Sequence, residues 1–138
     1  MDCELKRAAA LLSEGEYTCV LCRGERTYTD NRRGVRPLLE LLEDGNDLRG
    51  FFAADKVVGK AAAFLYVLLG VQAVYARVIS SPAKAVLSRY GISLTFEAEV
   101  PAIENRTKTG LCPIESSVWN TDDPAEALAI MKHTLENL

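Results

Sequence analysis

The fold is decided by residues 51–96, which read FFAADKVVGKAAAFLYVLLGVQAVYARVISSPAKAVLSRYGISLTF. Stretches rich in strand-forming and apolar residues predict three strands, at 51–58, 71–79 and 92–96. The middle strand carries Val and Ala on both faces, which is typical of a strand covered by other elements on both sides.

Two helices are predicted between these strands. Gly59 marks a turn and residues 60–69 form the first helix, which ends at Gly70. Ser80-Ser81-Pro82 opens the second, which ends at Tyr90-Gly91. Because the joins are short, we expect parallel strands with right-handed crossovers.

The flanking segments complete one domain that spans residues 1–138. A helix over 2–14 precedes a hairpin over 16–30, and Pro37 suits the first turn of another helix. After Pro101 the chain is polar until a short helix begins at Cys112-Pro113. Asp123, Pro124 and Glu126 predict the start of the last helix. The sequence therefore predicts an α/β fold with three α-β-α layers around a mixed five-stranded sheet.

The composition is that of an ordinary globular chain. Of 138 residues, 49% are apolar and 25% charged, and the formal net charge of −3 does not indicate nucleic-acid binding. The longest uncharged stretch, 61–76, is shorter than the roughly 20 residues that a membrane span needs. The N-terminus shows no signal-peptide pattern, so the four cysteines are expected to be reduced in the cytoplasm.

The order of predicted elements resembles the cytidine deaminase-like fold. Two segments, DKVVGKAAA at 55–63 and NRTKTGLCP at 105–113, are similar to a domain-of-unknown-function family of short microbial proteins with that fold. Zinc deaminases carry H-x-E at the start of the first crossover helix and P-C-x-x-C at the start of the next. Here these starts read Lys60-Ala61-Ala62-Ala63 and Pro82 with Ala83 and Val86, so we expect no metal, no cofactor and no zinc-dependent deamination.

A basic, acid-free unit marks the first candidate site. Residues 56–96 contain five cations and no acid, whereas the remainder has a net charge of −8. Lys60 and Lys84 each lie in the first turn of a predicted helix, where a cation opposes the helix dipole. Both positions are explained if the helix starts face a bound anion at the carboxyl edge of the sheet. The alternative is that core strands lack acids and both lysines point into solvent.

The predicted ligand contacts are shared between the two helix starts and the later polar loop. They are Gly59, Lys60, Ser80, Ser81, Lys84, Arg106 and Lys108. The unit is not a P-loop, because Ala54 and Ala61 stand where that motif needs Gly and Ser or Thr.

Cys112 is the second candidate. It precedes Pro113 at the expected start of a helix, where the dipole favours the thiolate, so it is a candidate catalytic nucleophile. The alternative is a structural cap. Cys19 and Cys22 are three residues apart in a predicted strand and therefore face opposite sides, which favours two ordinary sheet residues over a metal site. Tyr66, Tyr75 and Trp119 are read as packed core residues, and His133 as a surface residue.

Three functions remain open at this point. The first is binding of a small anionic metabolite or nucleotide-like ligand at the carboxyl edge of the sheet. The second is an enzyme that uses Cys112 as its nucleophile, with Lys60 or Arg106 stabilising the developing charge. The third is a structural or regulatory homodimeric module that has kept the fold and lost the chemistry.

Overall fold

The computed structural model describes residues 2–105 and 110–137. Within them the chain forms six helices and five strands. In chain order these are α1 (Cys3–Glu14), β1 (Cys19–Arg23), β2 (Arg26–Asp30), α2 (Arg36–Glu43), β3 (Phe52–Val58), α3 (Lys60–Leu69), β4 (Ala73–Ser80), α4 (Ser81–Arg89), β5 (Ser93–Val100), α5 (Pro113–Val118) and α6 (Pro124–Glu136).

The strands form one mixed sheet in the order β2-β1-β3-β4-β5. The hairpin pairs antiparallel with β3, and β3, β4 and β5 run parallel to one another. The predicted α/β architecture with a mixed five-stranded sheet is therefore confirmed.

Gly70 adopts a φ of +84° at the end of α3, a left-handed conformation that glycine adopts without strain.

Helices cover the sheet on both faces, as predicted. Helix α1 packs on β1 and β3, and its Ala8 and Leu12 share a buried cluster with Val20 and Cys22. On the opposite face α3 is packed between α2, α4 and α6 over the main core. Helix α3 has eight buried residues among its ten, which explains why its sequence is apolar all round.

Strand β5 differs from the prediction, which ended it at residue 96. It continues to Val100, which pairs with Ser80 at the end of β4. The continuation contains Glu97 and Glu99, which the exposed edge of the sheet tolerates. Tyr75 donates a hydrogen bond to Glu97, and Ser81 donates one to Glu99.

No helix in the described part of the chain is both long enough and apolar enough to cross a membrane.

Candidate functional site

The carboxyl edge of the sheet is where β3 and β4 lead directly into helices. Strand β3 ends at Val58 and α3 starts at Lys60, with Gly59 as its N-cap. Strand β4 ends at Ser80, which is itself the N-cap of α4. The two helix starts selected from the sequence therefore lie at the same edge of the sheet.

A carboxylate from α5 caps the start of α3. Glu115 is only 4% exposed. Its Oε2 accepts a hydrogen bond from the Lys60 amide at 2.8 Å, and its Oε1 accepts one from the Ala61 amide, also at 2.8 Å. These bonds satisfy two of the N–H groups that a helix start leaves without an intrahelical partner. We call this group of Gly59, the two amides and the Glu115 carboxylate the Glu115 cradle.

Burial raises the pKa of Glu115, while the hydrogen bonds from the two amides and the charge of Lys60 act in the opposite direction. The desolvation of the carboxylate is therefore only partly compensated by its partners.

Gly59 makes room for this carboxylate. Its backbone is extended, with φ −94° and ψ 179°, so the conformation itself does not require glycine. A Cβ at this position would lie 2.5 Å from both Cδ and Oε1 of Glu115. The absence of a side chain is what lets an anionic group reach the helix start.

The Lys60 side chain turns toward α5 and the residues that follow it. Its Nζ donates a hydrogen bond to the Trp119 carbonyl oxygen at 2.7 Å and lies 3.8 Å from the Asp122 carboxylate. It also lies 5.7 Å from the centre of the Phe64 ring. Because Lys60 is 6% exposed, the alternative in which both lysines point into solvent does not hold for Lys60, whereas the Lys84 side chain is 48% exposed.

The start of α4 also faces a carboxylate of the chain. Ser80 Oγ accepts a hydrogen bond from the Ala83 amide at 3.2 Å. Glu99 receives a hydrogen bond from Ser81 Oγ at 2.7 Å and an ion pair from Lys84 Nζ at 3.2 Å. These two partners, Ser81 first, lower the pKa of Glu99.

The structure thus divides the predicted ligand contacts into two groups. Gly59 and Lys60 meet Glu115, whereas Ser80, Ser81 and Lys84 lie around the start of α4 beside Glu99. Arg106 and Lys108 lie outside the described residues. The sequence prediction missed the two glutamates as partners of the helix starts.

Cys112 is the N-cap of α5, as predicted, and it is half-buried. Its thiol makes no capping hydrogen bond, while its amide donates to the Ile103 carbonyl oxygen at 3.1 Å. Helix α5 has six residues, so the contribution of its dipole is small. The role of Cys112 as a nucleophile stays a prediction.

Cys19 and Cys22 lie on opposite faces of β1, as the spacing predicts. Cys19 belongs to the core under α3, and Cys22 belongs to the cluster under α1. Among the described residues there is no group of three or more His, Cys, Asp or Glu side chains placed to hold a metal ion. His133 is exposed in the last turn of α6.

Comparison with known proteins identifies the family. The family model described as a domain of unknown function, DUF1893, matches residues 7–135. The crystal structure of a DUF1893 family protein from Thermotoga maritima superimposes with a TM-score of 0.85 at 27% identity, covering 100% of this chain and 92% of that one. No curated protein matches the sequence. With almost its whole length matched by the family model, the chain belongs to the DUF1893 family.

Proposed function

We propose that this protein binds a small anionic metabolite or a nucleotide-like molecule at the carboxyl edge of its sheet. The observation that carries the proposal is the Glu115 cradle. There, two backbone amides at the start of α3 hold a carboxylate at 2.8 Å, in a space that only a glycine at residue 59 leaves open. Carboxylate and phosphate groups are the ligands that such a helix start favours.

In this proposal Glu115 holds the anion position until a ligand replaces it. Burial raises the pKa of Glu115, because the buried carboxylate has lost the hydration that it would have in water. Release of the carboxylate into water recovers that hydration and offsets part of the loss of two hydrogen bonds. Lys60, which lies 3.8 Å from the exposed Asp122 carboxylate, and Lys84, which pairs with Glu99, are the positive charges that would favour an incoming anion at this edge.

The proposal includes a deaminase-like origin for the fold and binding in place of zinc chemistry. The helix starts that carry zinc ligands in deaminases read Lys60-Ala61-Ala62-Ala63 and Pro82-Ala83 here, and these side chains offer no ligand set for zinc. It also places the protein in the cytoplasm, which is consistent with four free cysteines.

The test is thermal unfolding in the presence of a panel of nucleotides, organic phosphates and carboxylates. We expect at least one anion to raise the Tm of the wild-type protein, because a ligand that binds only the folded state stabilises it. We also expect acetate or phosphate to raise the Tm of Glu115→Ala more than chloride does at equal ionic strength, because this variant empties the Glu115 cradle.

Glu136→Ala is the matched control, since it removes the same charge from the exposed end of α6. If no anion shifts the wild-type Tm and acetate affects both variants alike, the binding function is wrong. Native mass spectrometry of the purified protein distinguishes the alternatives. A dimer without a retained ligand would favour the homodimeric module, and a covalent adduct on Cys112 would favour the cysteine enzyme.

A further inference from the structure

Three polar side chains are linked in series by hydrogen bonds inside the core, away from the Glu115 cradle. They are Cys19 on β1, Asp55 on β3 and Tyr66 on α3. The Tyr66 hydroxyl donates a hydrogen bond to Asp55 Oδ2 at 2.6 Å, and the Cys19 Sγ lies 3.4 Å from the same hydroxyl oxygen. Since the tyrosine proton is directed at the carboxylate, the thiol is the donor toward Tyr66. The arrangement is a donor chain from Cys19 through Tyr66 to Asp55.

Asp55 is an unusual residue for a central strand. It is 8% exposed, and no ion pair among the described residues includes it. Its other side-chain oxygen accepts a hydrogen bond from the Val57 amide at 3.2 Å. Burial raises the pKa of Asp55 to about 6, and the bond from Tyr66 opposes that rise, so the group is a carboxylate at neutral pH. Buried acids held in this way are concentrated at functional sites.

Cys19, at the thiol end of the donor chain, is one of the residues that line a cavity of about 110 Å³ between the β1–β2 hairpin and α2. Leu21, Tyr28 and Leu41 give this hairpin cavity apolar walls, and Asp30 and Glu40 line it with acidic groups. Both of these acids are held by Arg32, at 2.8 and 2.7 Å. A space of this size accepts a molecule of a few heavy atoms. Its charged lining residues are Asp30, Glu40, Asp44 and Arg32, and their net negative charge disfavours anions.

We propose that Cys19 is a nucleophile toward small uncharged carbonyl compounds that enter the hairpin cavity, with Tyr66 passing its proton to Asp55. In the addition, the S–H bond breaks and an S–C bond forms to the carbonyl carbon. The π electron pair of the C=O group moves to its oxygen. That oxygen then takes up a proton from the Tyr66 hydroxyl, which recovers one from Asp55 through their hydrogen bond, so the product is a hemithioacetal and no other reactant is needed.

The base is essential to this chemistry. Burial, and then the charges of Asp55 and Asp30, raise the pKa of the Cys19 thiol, so a free thiolate does not form at neutral pH. A nucleophile of this kind is activated by transfer of its proton during attack, as the serine hydroxyl of a hydrolase is activated by its histidine. The charged and titratable groups that face the donor chain are its three members, Asp30 on β2, and the other charged residues that line the hairpin cavity with Cys19, which are Arg32, Glu40 and Asp44.

Iodoacetamide is a suitable probe, because it is small, uncharged and reacts with loss of iodide as the S–C bond forms. Peptide mapping by mass spectrometry measures the labelling rate of each cysteine separately. Cys22 is the internal control, since it lies on the other face of the same strand and is 0% exposed. We expect Cys19 to be labelled about 100-fold faster than Cys22 at pH 7.5, the range of general-base catalysis. The rate should rise with pH as Asp55 ionises near pH 6.

Tyr66→Phe removes the hydroxyl of the relay and keeps the buried ring, and Asp55→Asn removes the base. Both should bring the Cys19 rate down toward the Cys22 rate, with Cys22 unchanged. Equal labelling of Cys19 and Cys22 would mean that reagent enters by opening of the strand, and would overturn the proposal. So would a Cys19 rate that rises only above pH 9, a measurement that needs no variant to fold.

Discussion

The carboxylate of Glu115 fills the space that a side chain at residue 59 would need. A Cβ on Gly59 would lie 2.5 Å from the Cδ and Oε1 atoms of Glu115, and the carboxylate is fixed there by the amides of Lys60 and Ala61. The two residues are 56 positions apart in sequence. Their contact joins α5 to the start of α3, and it decides which groups at this edge of the sheet are available to a ligand.

Gly59→Ala should therefore destabilise the fold. The added methyl group must push Glu115 away from two amides, and overpacking of this kind costs about 1–3 kcal/mol. Urea unfolding would show the loss as a lower midpoint with an unchanged slope. Gly110→Ala is the control, because a Cβ at Gly110 meets nothing within 4 Å. Equal midpoints for Gly59→Ala and the control would contradict the close contact.

The same contact predicts strong coupling between residues 59 and 115. Glu115→Ala leaves the amides of Lys60 and Ala61 without their acceptor, which costs about 1–3 kcal/mol when the groups are buried. In that variant the methyl group of Gly59→Ala has room, so the double variant should be clearly more stable than the sum of the two losses implies. A double-mutant cycle in urea measures this difference, and simple additivity would refute the prediction.

Lys60 and Lys84 offer a matched pair of substitutions. Lys60→Ala removes the part-buried hydrogen bond from Nζ to the carbonyl oxygen of Trp119, the C-cap of α5, and we expect a loss of about 1–3 kcal/mol. Lys84→Ala removes an ion pair with Glu99 from an exposed surface, where such pairs contribute little. Thermal unfolding of both variants checks this. Equal Tm values would show that Lys60 is not held as the structure places it.

The final helix provides a prediction about local stability. The Asp123 side chain accepts a hydrogen bond from the Glu126 amide at 2.9 Å, so Asp123→Ala should cost about 1 kcal/mol. Asp122→Ala removes the same charge from the neighbouring residue, whose contacts with Lys60 and Arg89 are 3.8 and 3.9 Å long. Chemical denaturation should give a lower free energy of unfolding for Asp123→Ala than for Asp122→Ala. The reverse order would show that Asp123 does not cap α6.

The fold was predictable because its signals are local. The uncharged run from residue 61 to 76 predicts a buried helix and a buried strand, and Gly59 and Gly70 mark the limits of α3. Strand β5 was predicted too short because its second half alternates acidic with apolar side chains. That alternation is acceptable at an edge, where Tyr75, Ser81 and Lys84 supply partners for the acids.

The candidate site was predictable only in part. The position of Lys60 in the first turn of a helix led to the prediction of a bound anion at that end, which stays a prediction. The anion in the structure is Glu115, which lies 55 residues later in the chain. A contact of this kind depends on how α5 packs against α3, and no periodicity or spacing encodes it. Asp55 left a visible signal, an acid at the end of an apolar run in FFAAD, whose meaning becomes clear only with Tyr66 beside it.

Asp55 gives the stability of the protein a distinctive dependence on pH. Burial raises its pKa in the folded state to about 6 from an ordinary value of 3.8. The folded protein therefore holds this proton more tightly than the unfolded chain does. The stabilising contribution of Asp55 to the free energy of unfolding is therefore fully present below about pH 3.8 and is lost as the pH rises through about 6. A shift of this size corresponds to about 3 kcal/mol at 1.36 kcal/mol per pH unit.

Comparison of the wild-type protein with Asp55→Asn isolates this effect. Other carboxyl groups, such as Asp30 and Glu40, have lowered pKa values and act in the opposite direction, but they are the same in both proteins. As the pH rises from 3 to 8, the free energy of unfolding of Asp55→Asn should increase by about 3 kcal/mol relative to that of the wild type. The reason is that the variant has no buried charge to desolvate at high pH. Urea unfolding across this range measures the difference. A constant difference would mean that Asp55 titrates at its ordinary pKa, and that the charge in the core is compensated by its neighbours.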